Sequence, residues 1–374
     1  MATMMTRQAP HGAFPDISHD EMARQDFAQR LREYVAGDIV GGNDDVYRLD
    51  VEPAFERKHG RKPSSRKEVR QAMERHPYHQ AWGSLNRATQ ELIWDSVQDS
   101  LDRQDDALNQ RIARVGKTKG SLRLDPSVAA PRYLTAVDIH CMPGNYHTEY
   151  TDDDAYQGAL LDRGAFIYAR GMRGAYHDSY GRDLLAYLDK ARPGFRPKRI
   201  LDMGAGTGQV TCAFAERFPD AEIHAIDVGA PLLRYGHKRA ESLGHTIHFS
   251  QQNAESTDFA DETFDLIISC IMMHETSSKA LRNYIKETRR LLAPGGMALH
   301  MDFPHNEDKT PYLQAMVDWS THYNAEPFIG TLGDTDWAEV AVQEGFSHNT
   351  AVVVPMSTVA PSNHMYVLDA RKPE

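Results

Sequence analysis

Cysteine is scarce in this chain of 374 residues, which contains only Cys141, Cys212 and Cys270. Three scattered cysteines are too few for a disulfide framework, and such a composition is typical of a reducing compartment. We therefore expect a cytoplasmic protein.

Long apolar runs are also absent from the chain. Residues 1–20 contain no apolar signal core, and the longest apolar runs elsewhere have only the length of a strand. Because a membrane-spanning helix needs about 20 consecutive apolar residues, we expect no membrane span.

Basic residues are fewer than acidic ones: the chain has 42 lysine and arginine residues and 53 aspartate and glutamate residues, so its net charge is −11. Broad affinity for nucleic acid requires a basic surface that neutralises phosphates, so this function is disfavoured. What the chain does contain is a hydrophobic content of 41%, enough for a packed core.

A glycine-rich turn between a strand and a helix is the most informative feature of the sequence. Residues 199–203 form a short apolar strand, and an amphipathic run follows at 209–218. Between them, Gly204, Gly206 and Gly208 permit positive φ and let a ligand lie against the backbone. Strand, glycine turn and helix together open a nucleotide-binding βαβ unit, although an α/β turn without a ligand can share this pattern.

The residues around this turn distinguish between two classes of cofactor. A dinucleotide fingerprint would place glycine at position 209, which is Gln209, so a dehydrogenase is disfavoured. Asp202 beside the turn would repel a pyrophosphate but suits a cationic amino-acid group. Asp227 ends the next apolar strand, where a carboxylate can accept hydrogen bonds from two ribose hydroxyls. A ligand with an ammonium group, a ribose and no phosphate is S-adenosylmethionine.

Apolar strands alternate with amphipathic runs through the second half of the chain, which predicts a parallel sheet. The strands expected in this alternation are 199–203, 222–226, 246–250, 264–270 and 297–303. Two further strands are expected at 350–354 and 365–368, separated by a turn around Pro361.

The stretch from Ile200 to Asp302 resembles the class I S-adenosylmethionine-dependent methyltransferases. Its segments 264–274, 279–287 and 290–296 are similar to those of the ubiquinone/menaquinone-biosynthesis-like branch, which methylates small molecules. The resemblance implies an α/β fold with a Rossmann-like, seven-stranded, mostly parallel sheet, in which the two late strands form an antiparallel hairpin.

The resemblance also implies how S-adenosylmethionine is bound. Asp202 and the glycine turn would hold its methionine end, Asp227 its ribose and Asn253 its adenine. The branch often has aspartate in place of Asn253, but an amide can still bond adenine. The full set of expected cofactor contacts is Asp202, Gly204, Ala205, Gly206, Gly208, Asp227, Val228, Asn253, Ala254 and Cys270.

Polar residues follow the fourth and fifth strands of the alternation, at the sheet edge where ligands bind. Methylation of a hydroxyl or an acidic carbon releases a proton, which a base can accept. We expect His274 to be this base; a purely supporting role is the alternative. The expected acceptor contacts are Glu275, His305, Trp319 and Tyr323.

Two groups of residues have the chemistry of metal ligands. Glu275, Asp302 and Asn306 could hold a divalent ion, but the usual placement of acids in metal-dependent methyltransferases is not reproduced. The segment 138–147 contains two histidines and a cysteine, but no pair of carboxylates or thiolates completes it at the usual spacing. We therefore expect no metal.

Residues 1–150 match no recognisable family and are expected to form a mainly helical accessory domain that covers the substrate or mediates dimerisation. The first helix should begin after Ser18, with a capping box to Glu21, and stop near Gly37. Over 80–107, apolar residues at helical spacing predict a long amphipathic helix. These residues are Leu85, Ala88, Leu92, Val97 and Leu101.

Residues 151–374 are expected to form the methyltransferase domain, with an aromatic-rich insertion at about 304–333 that forms the acceptor pocket. The expected activity is methyl transfer to a small molecule, with O-methylation of a phenol, quinone or polyketide-like acceptor favoured over C- or N-methylation. A non-catalytic regulator or scaffold that binds S-adenosylmethionine is the alternative from another class.

Overall fold

The computed structural model describes residues 7–114, 118–307, 309–356 and 365–374. No helix within these ranges is both long and apolar enough to cross a membrane. The turn expected around Pro361 lies outside the described residues.

Helices dominate the first part of the described chain. In order they are α1 (His19–Tyr34), α2 (Val40–Val46), α3 (Glu52–His59), α4 (Arg66–Met73), α5 (Pro77–Asp102) and α6 (Asp105–Ala113). Ser18 and Glu21 form the expected capping box at the start of α1. The expected stop near Gly37 is wrong, because helical turns continue from α1 to Gly60, which takes a left-handed φ of 72°. A glycine inside a helix costs only about 1 kcal/mol, which packing can offset.

Within the described ranges, the sheet contains eight strands rather than the seven expected. They are β1 (Ser121–Arg123), β2 (Arg199–Met203), β3 (Glu222–Asp227), β4 (His248–Gln251), β5 (Phe264–Cys270), β6 (Leu292–Asp302), β7 (Ala351–Met356) and β8 (Met365–Arg371). Their order is β1-β4-β3-β2-β5-β6-β8-β7. The first six strands are parallel, and β8 runs antiparallel to both β6 and β7, as expected for a closing hairpin.

The additional strand is β1, which belongs to the first 150 residues and pairs with β4. Gly120 allows this approach, because a Cβ atom there would lie 2.1 Å from the Ile247 carbonyl oxygen. A three-residue edge strand has too little apolar alternation to be recognised in the sequence.

Further helices follow β1 in the chain, and several of them cover the two faces of the sheet. In order they are α7 (Arg132–Thr135), α8 (Tyr156–Tyr168), α9 (Ser179–Ala191), α10 (Gln209–Arg217), α11 (Ala230–Ser242), α12 (Ser278–Leu291), α13 (Pro311–Tyr323), α14 (Ile329–Gly333) and α15 (Trp337–Gln343). Successive residues of β5 point to opposite faces. Ile268 belongs to the apolar cluster of α9 and α10, whereas Ile267 belongs to that of α12 and α15.

Helix α5 buries only the second half of the predicted stripe. Val97 and Leu101 are buried as expected, whereas Leu85 is 41% exposed and Trp82, outside the stripe, is buried. The reason is that α5 packs against both α1 and α8, so its buried face also includes polar residues such as Thr89. A hydrophobic pattern alone does not indicate such a face.

The N-terminal helices pack over the aromatic insertion. The rings of Trp82 and Trp319 lie 4.9 Å apart, and Tyr47 stacks on Tyr312 at 4.6 Å. Another apolar cluster joins Ile93 of α5 to residues of α8 and α11, so buried contacts cross residue 150.

Candidate functional site

A cavity of about 260 Å³ lies at the carboxyl ends of β2, β3 and β5. The sheet contributes Ala205 and Asp227 to its wall, whereas Trp94 and Tyr146 come from the first 150 residues. The cavity therefore lies where parallel sheets of this kind bind ligands, and the N-terminal part of the chain closes its other side.

The glycine turn forms the floor of this cavity in a conformation that glycine favours. Gly204, Gly206 and Gly208 have φ values of 73°, 54° and 76°. A Cβ atom on Gly204 would lie 2.7 Å from Met272 Sδ, whereas one on Gly206 would meet nothing closer than 3.8 Å. Gly208 does not line the cavity and is the residue before α10, where its positive φ shapes the turn. Its contact with the cofactor stays a prediction.

Asp202, at the end of β2, is a buried acid in the cavity wall. Its Oδ2 accepts a hydrogen bond of 2.6 Å from Thr211 Oγ1. Burial raises the pKa of Asp202 to about 7. A cationic ligand beside this carboxyl would favour its charged form, so Asp202 suits an ammonium group.

Asp227 holds the glycine turn against the end of β3. Its carboxylate accepts hydrogen bonds from the backbone N–H of Gly206 at 3.0 Å and of Gly229 at 2.9 Å. Burial raises the pKa of Asp227. Because each carboxylate oxygen has two lone pairs, Asp227 can still accept from a diol in the cavity.

The other expected cofactor contacts also lie in the cavity wall. Val228 follows Asp227, Asn253 and Ala254 follow β4, and Cys270 ends β5. Two acids and an open glycine turn, with no basic group in the turn itself, suit a ligand that carries an ammonium and a ribose but no phosphate.

His274 lies just beyond β5 and is buried. Its Nδ1 lies 2.8 Å from Asp302 Oδ1. Its Nε2 is buried without a hydrogen-bond partner among the described residues. Burial opposes the charged form of this ring, but the Asp302 carboxylate outweighs it and raises the pKa of His274 to about 9.

A second histidine, His140, also lines the cavity, with its ring centre 6.1 Å from that of His274. His140 Nε2 lies 2.9 Å from Glu275 Oε1, and its Nδ1 lies 2.5 Å from Glu326 Oε1. Tyr146 donates a hydrogen bond of 2.8 Å to the same Glu275 oxygen. Burial opposes protonation of His140, but the two carboxylates raise its pKa well above the usual value.

His140, His274 and Glu326 each bring one ligand atom within 4.8 Å of the others, a spacing that could hold a metal ion. However, both ring nitrogens of His140 are bonded to carboxylates, which requires a proton on each nitrogen. A protonated nitrogen cannot ligate a metal, so the geometry favours a hydrogen-bonded charge network. Of the other group considered from the sequence, Glu275 lines the cavity, whereas Asp302 and Asn306 do not.

Three of the four expected acceptor contacts lie away from the cavity, and only Glu275 lines it. His305 packs its ring 4.7 Å from that of Trp337. Trp319 packs against α5, and Tyr323 is 43% exposed. For Trp319 and Tyr323, the physical reason is that α13 turns its aromatic face toward the N-terminal helices.

Several residues that line the cavity were not predicted from the sequence to contact the acceptor or the cofactor. They are Trp94, Tyr133, His140, Tyr146, Arg173 and Glu326. The two histidines in segment 138–147 were a signal of unusual chemistry, but nothing in the sequence connected His140 with Glu326.

A family of sequences described as "Methyltransferase domain" matches residues 200–296. A ubiquinone/menaquinone biosynthesis C-methyltransferase of Vibrio parahaemolyticus is 36% identical over 118 residues, which is 30% of this chain and 43% of that protein. A polyketide synthase-nonribosomal peptide synthetase of Aspergillus clavatus is 26% identical over 210 residues, which is 52% of this chain and 5% of that protein. The chain thus spans less than half of the length of both relatives.

Among solved structures, phosphoethanolamine N-methyltransferase 2 of Haemonchus contortus in complex with S-adenosyl-L-methionine aligns with a TM-score of 0.41 and 18% identity. The alignment covers 57% of this chain and 59% of that one.

Proposed function

We propose that this chain, which contains a class I S-adenosylmethionine-dependent methyltransferase domain, methylates an oxygen of a small-molecule acceptor. The observation that carries the proposal is the position of His274. Its free Nε2 lines the same cavity as Asp202, Gly206 and Asp227, the residues proposed to hold the cofactor.

S-adenosylmethionine supplies a methyl group on a sulfonium, which an acceptor atom attacks in line as the carbon–sulfur bond breaks. The chain's own contribution is to orient the acceptor and to remove its proton. Asp302 fixes the ring of His274 through Nδ1 and leaves Nε2 to accept the proton. As the new carbon–oxygen bond forms, the acceptor oxygen would give its proton to Nε2, and the electron pair of the broken carbon–sulfur bond would stay on sulfur.

The shape of the cavity supports a planar acceptor. Its wall near His274 contains the rings of Tyr146, Tyr168 and Phe303. Aromatic rings beside a few placed polar groups suit a phenol, quinone or polyketide-like molecule. The cavity also reaches His274 without being filled by the N-terminal helices, which favours catalysis over a scaffold that only binds the cofactor.

Carbon methylation is a second candidate, favoured by the C-methyltransferase relative. The same Nε2 of His274 can accept a proton from an acidic carbon.

Incubation of the protein with isotope-labelled S-adenosylmethionine and candidate phenols, quinones and polyketides tests both O-methylation and C-methylation. Fragmentation of the product assigns the labelled methyl to oxygen or carbon. The proposal is contradicted if no acceptor of these classes is labelled.

A further inference from the structure

His140 has an unusual backbone conformation for a residue with a side chain. Its φ of 55° and ψ of 18° lie in the left-handed region, which non-glycine residues seldom occupy. Its carbonyl accepts a hydrogen bond of 2.8 Å from Trp94 Nε1, and its N–H donates to the Ala325 carbonyl at 3.2 Å. The conformation is therefore held from two sides, by α5 and by the segment after α13, and such conformations cluster at functional sites.

The imidazole of His140 connects two carboxylates. It bonds Glu275 through Nε2 and Glu326 through Nδ1. A neutral imidazole has only one N–H, so two hydrogen bonds to carboxylates need the imidazolium form. His140 thus places one positive charge between two negative charges.

Both carboxylates also face the free nitrogen of His274. Glu275 Oε1 lies 3.7 Å from His274 Nε2, and Glu326 Oε2 lies 3.9 Å from it. Glu326 Oε2 and His274 Nε2 are buried, and neither has a hydrogen-bond partner within the described ranges. An unpaired carboxylate at this distance would hold a proton on Nε2 and so oppose its use as a base.

We propose that His140 is a positioning residue that pairs Glu275 and Glu326 and thereby weakens their hold on the proton at Nε2 of His274, so that Nε2 can release it and then accept the acceptor's proton. This inference rests on the proposed function. Other titratable or charged groups face the same cluster from the surrounding elements. They are Arg32, Cys141, Tyr146, Tyr168, Asp227 and Asp302.

The test measures the protonation of His274 directly, by nitrogen NMR titration of the full chain with labelled histidine. The His274 signal is assigned by its loss in His274→Ala. His140→Gln removes the positive charge that pairs the two carboxylates, so the midpoint of the His274 titration should rise by about one pH unit. Glu326→Gln removes a negative charge and should lower the midpoint. Tyr146→Phe is the matched control, because it removes a hydrogen bond to Glu275 but no charge, and it should leave the midpoint nearly unchanged.

An unchanged or lowered His274 midpoint in His140→Gln would overturn the proposal, provided that circular dichroism shows a folded protein. If that variant does not fold, Glu275→Gln and Glu326→Gln decide, since the proposal requires both to lower the midpoint. His140→Lys restores a positive charge and should show a smaller rise than His140→Gln. Measurements of turnover separate this inference from the proposed function. If the midpoints shift as expected but His274→Ala keeps full turnover, the pairing by His140 is supported and the assignment of His274 as the base is refuted.

Discussion

Asp302 accepts two hydrogen bonds from His274. Its Oδ1 lies 2.8 Å from the ring Nδ1, and its Oδ2 lies 3.2 Å from the backbone nitrogen. The buried carboxylate at the end of β6 therefore fixes both the ring and the short turn that carries it. This pairing leaves Nε2 as the nitrogen that can exchange a proton with a molecule in the cavity.

The pairing between His274 and Asp302 sets the pH dependence of turnover. Because the pKa of His274 is raised to about 9, its ring is mostly charged at neutral pH and accepts a proton only as pH rises. Turnover should therefore increase with pH up to about 9. Asp302→Asn keeps the shape of the side chain but removes its charge, so the increase should occur at lower pH. A rate profile that is flat from pH 6 to 9 in the wild-type protein would exclude His274 as the base.

Asp227→Ala should weaken binding of S-adenosylmethionine by roughly 10- to 100-fold, since a buried carboxylate–diol contact contributes about 1.5–3 kcal/mol. The variant also loses the acceptor for the Gly206 and Gly229 N–H groups. Isothermal titration calorimetry gives the affinity, and Asp227→Asn, which retains one carbonyl oxygen, should lose less. Unchanged affinity in Asp227→Ala would remove the ribose assignment.

Gly206→Val should bind S-adenosylmethionine more weakly than Asp227→Ala. Its φ of 54° is strained for a β-branched residue, and the side chain would project into the open cavity. Gly37→Ala is the control, because a Cβ atom there meets nothing within 4 Å, and its affinity should equal that of the wild type. Normal affinity in Gly206→Val would show that the cofactor does not lie on this turn.

A truncated protein that begins at residue 150 should lose acceptor turnover and aggregate, although it keeps every residue proposed to hold the cofactor. Its cavity would lack the walls formed by Trp94, Tyr133, His140 and Tyr146, and the sheet would lose β1. Removal of α5 would also expose the apolar cluster on α8. If such a protein stays soluble and methylates the acceptor at the full rate, the N-terminal part is a separate module.

Local patterns in the sequence were sufficient for seven of the eight strands in the described residues, all except β1. Gly204, Gly206 and Asp227 lie at or just after the ends of apolar strands, so their places at the sheet edge could be predicted from neighbours in the chain, whereas their contacts with a cofactor stay predictions. His274 could be placed at the sheet edge for the same reason.

The acceptor side could not be predicted, because it depends on contacts between residues distant in the chain. His140 meets Glu326 only because α5 packs over the segment after α13 and fixes both loops. Trp319 and Tyr323 were expected in the acceptor pocket, but aromatic composition does not reveal which side of α13 faces the N-terminal helices.

The most direct test of the account is transfer of a labelled methyl group by wild-type protein and by His274→Ala, measured by mass spectrometry with one identified acceptor. We expect His274→Ala to slow the transfer by roughly 100-fold or more while its affinity for S-adenosylmethionine stays near that of the wild type. His348→Ala, at an exposed histidine, is the matched control and should keep the full rate. A His274→Ala protein that transfers the methyl group at the wild-type rate would contradict the account.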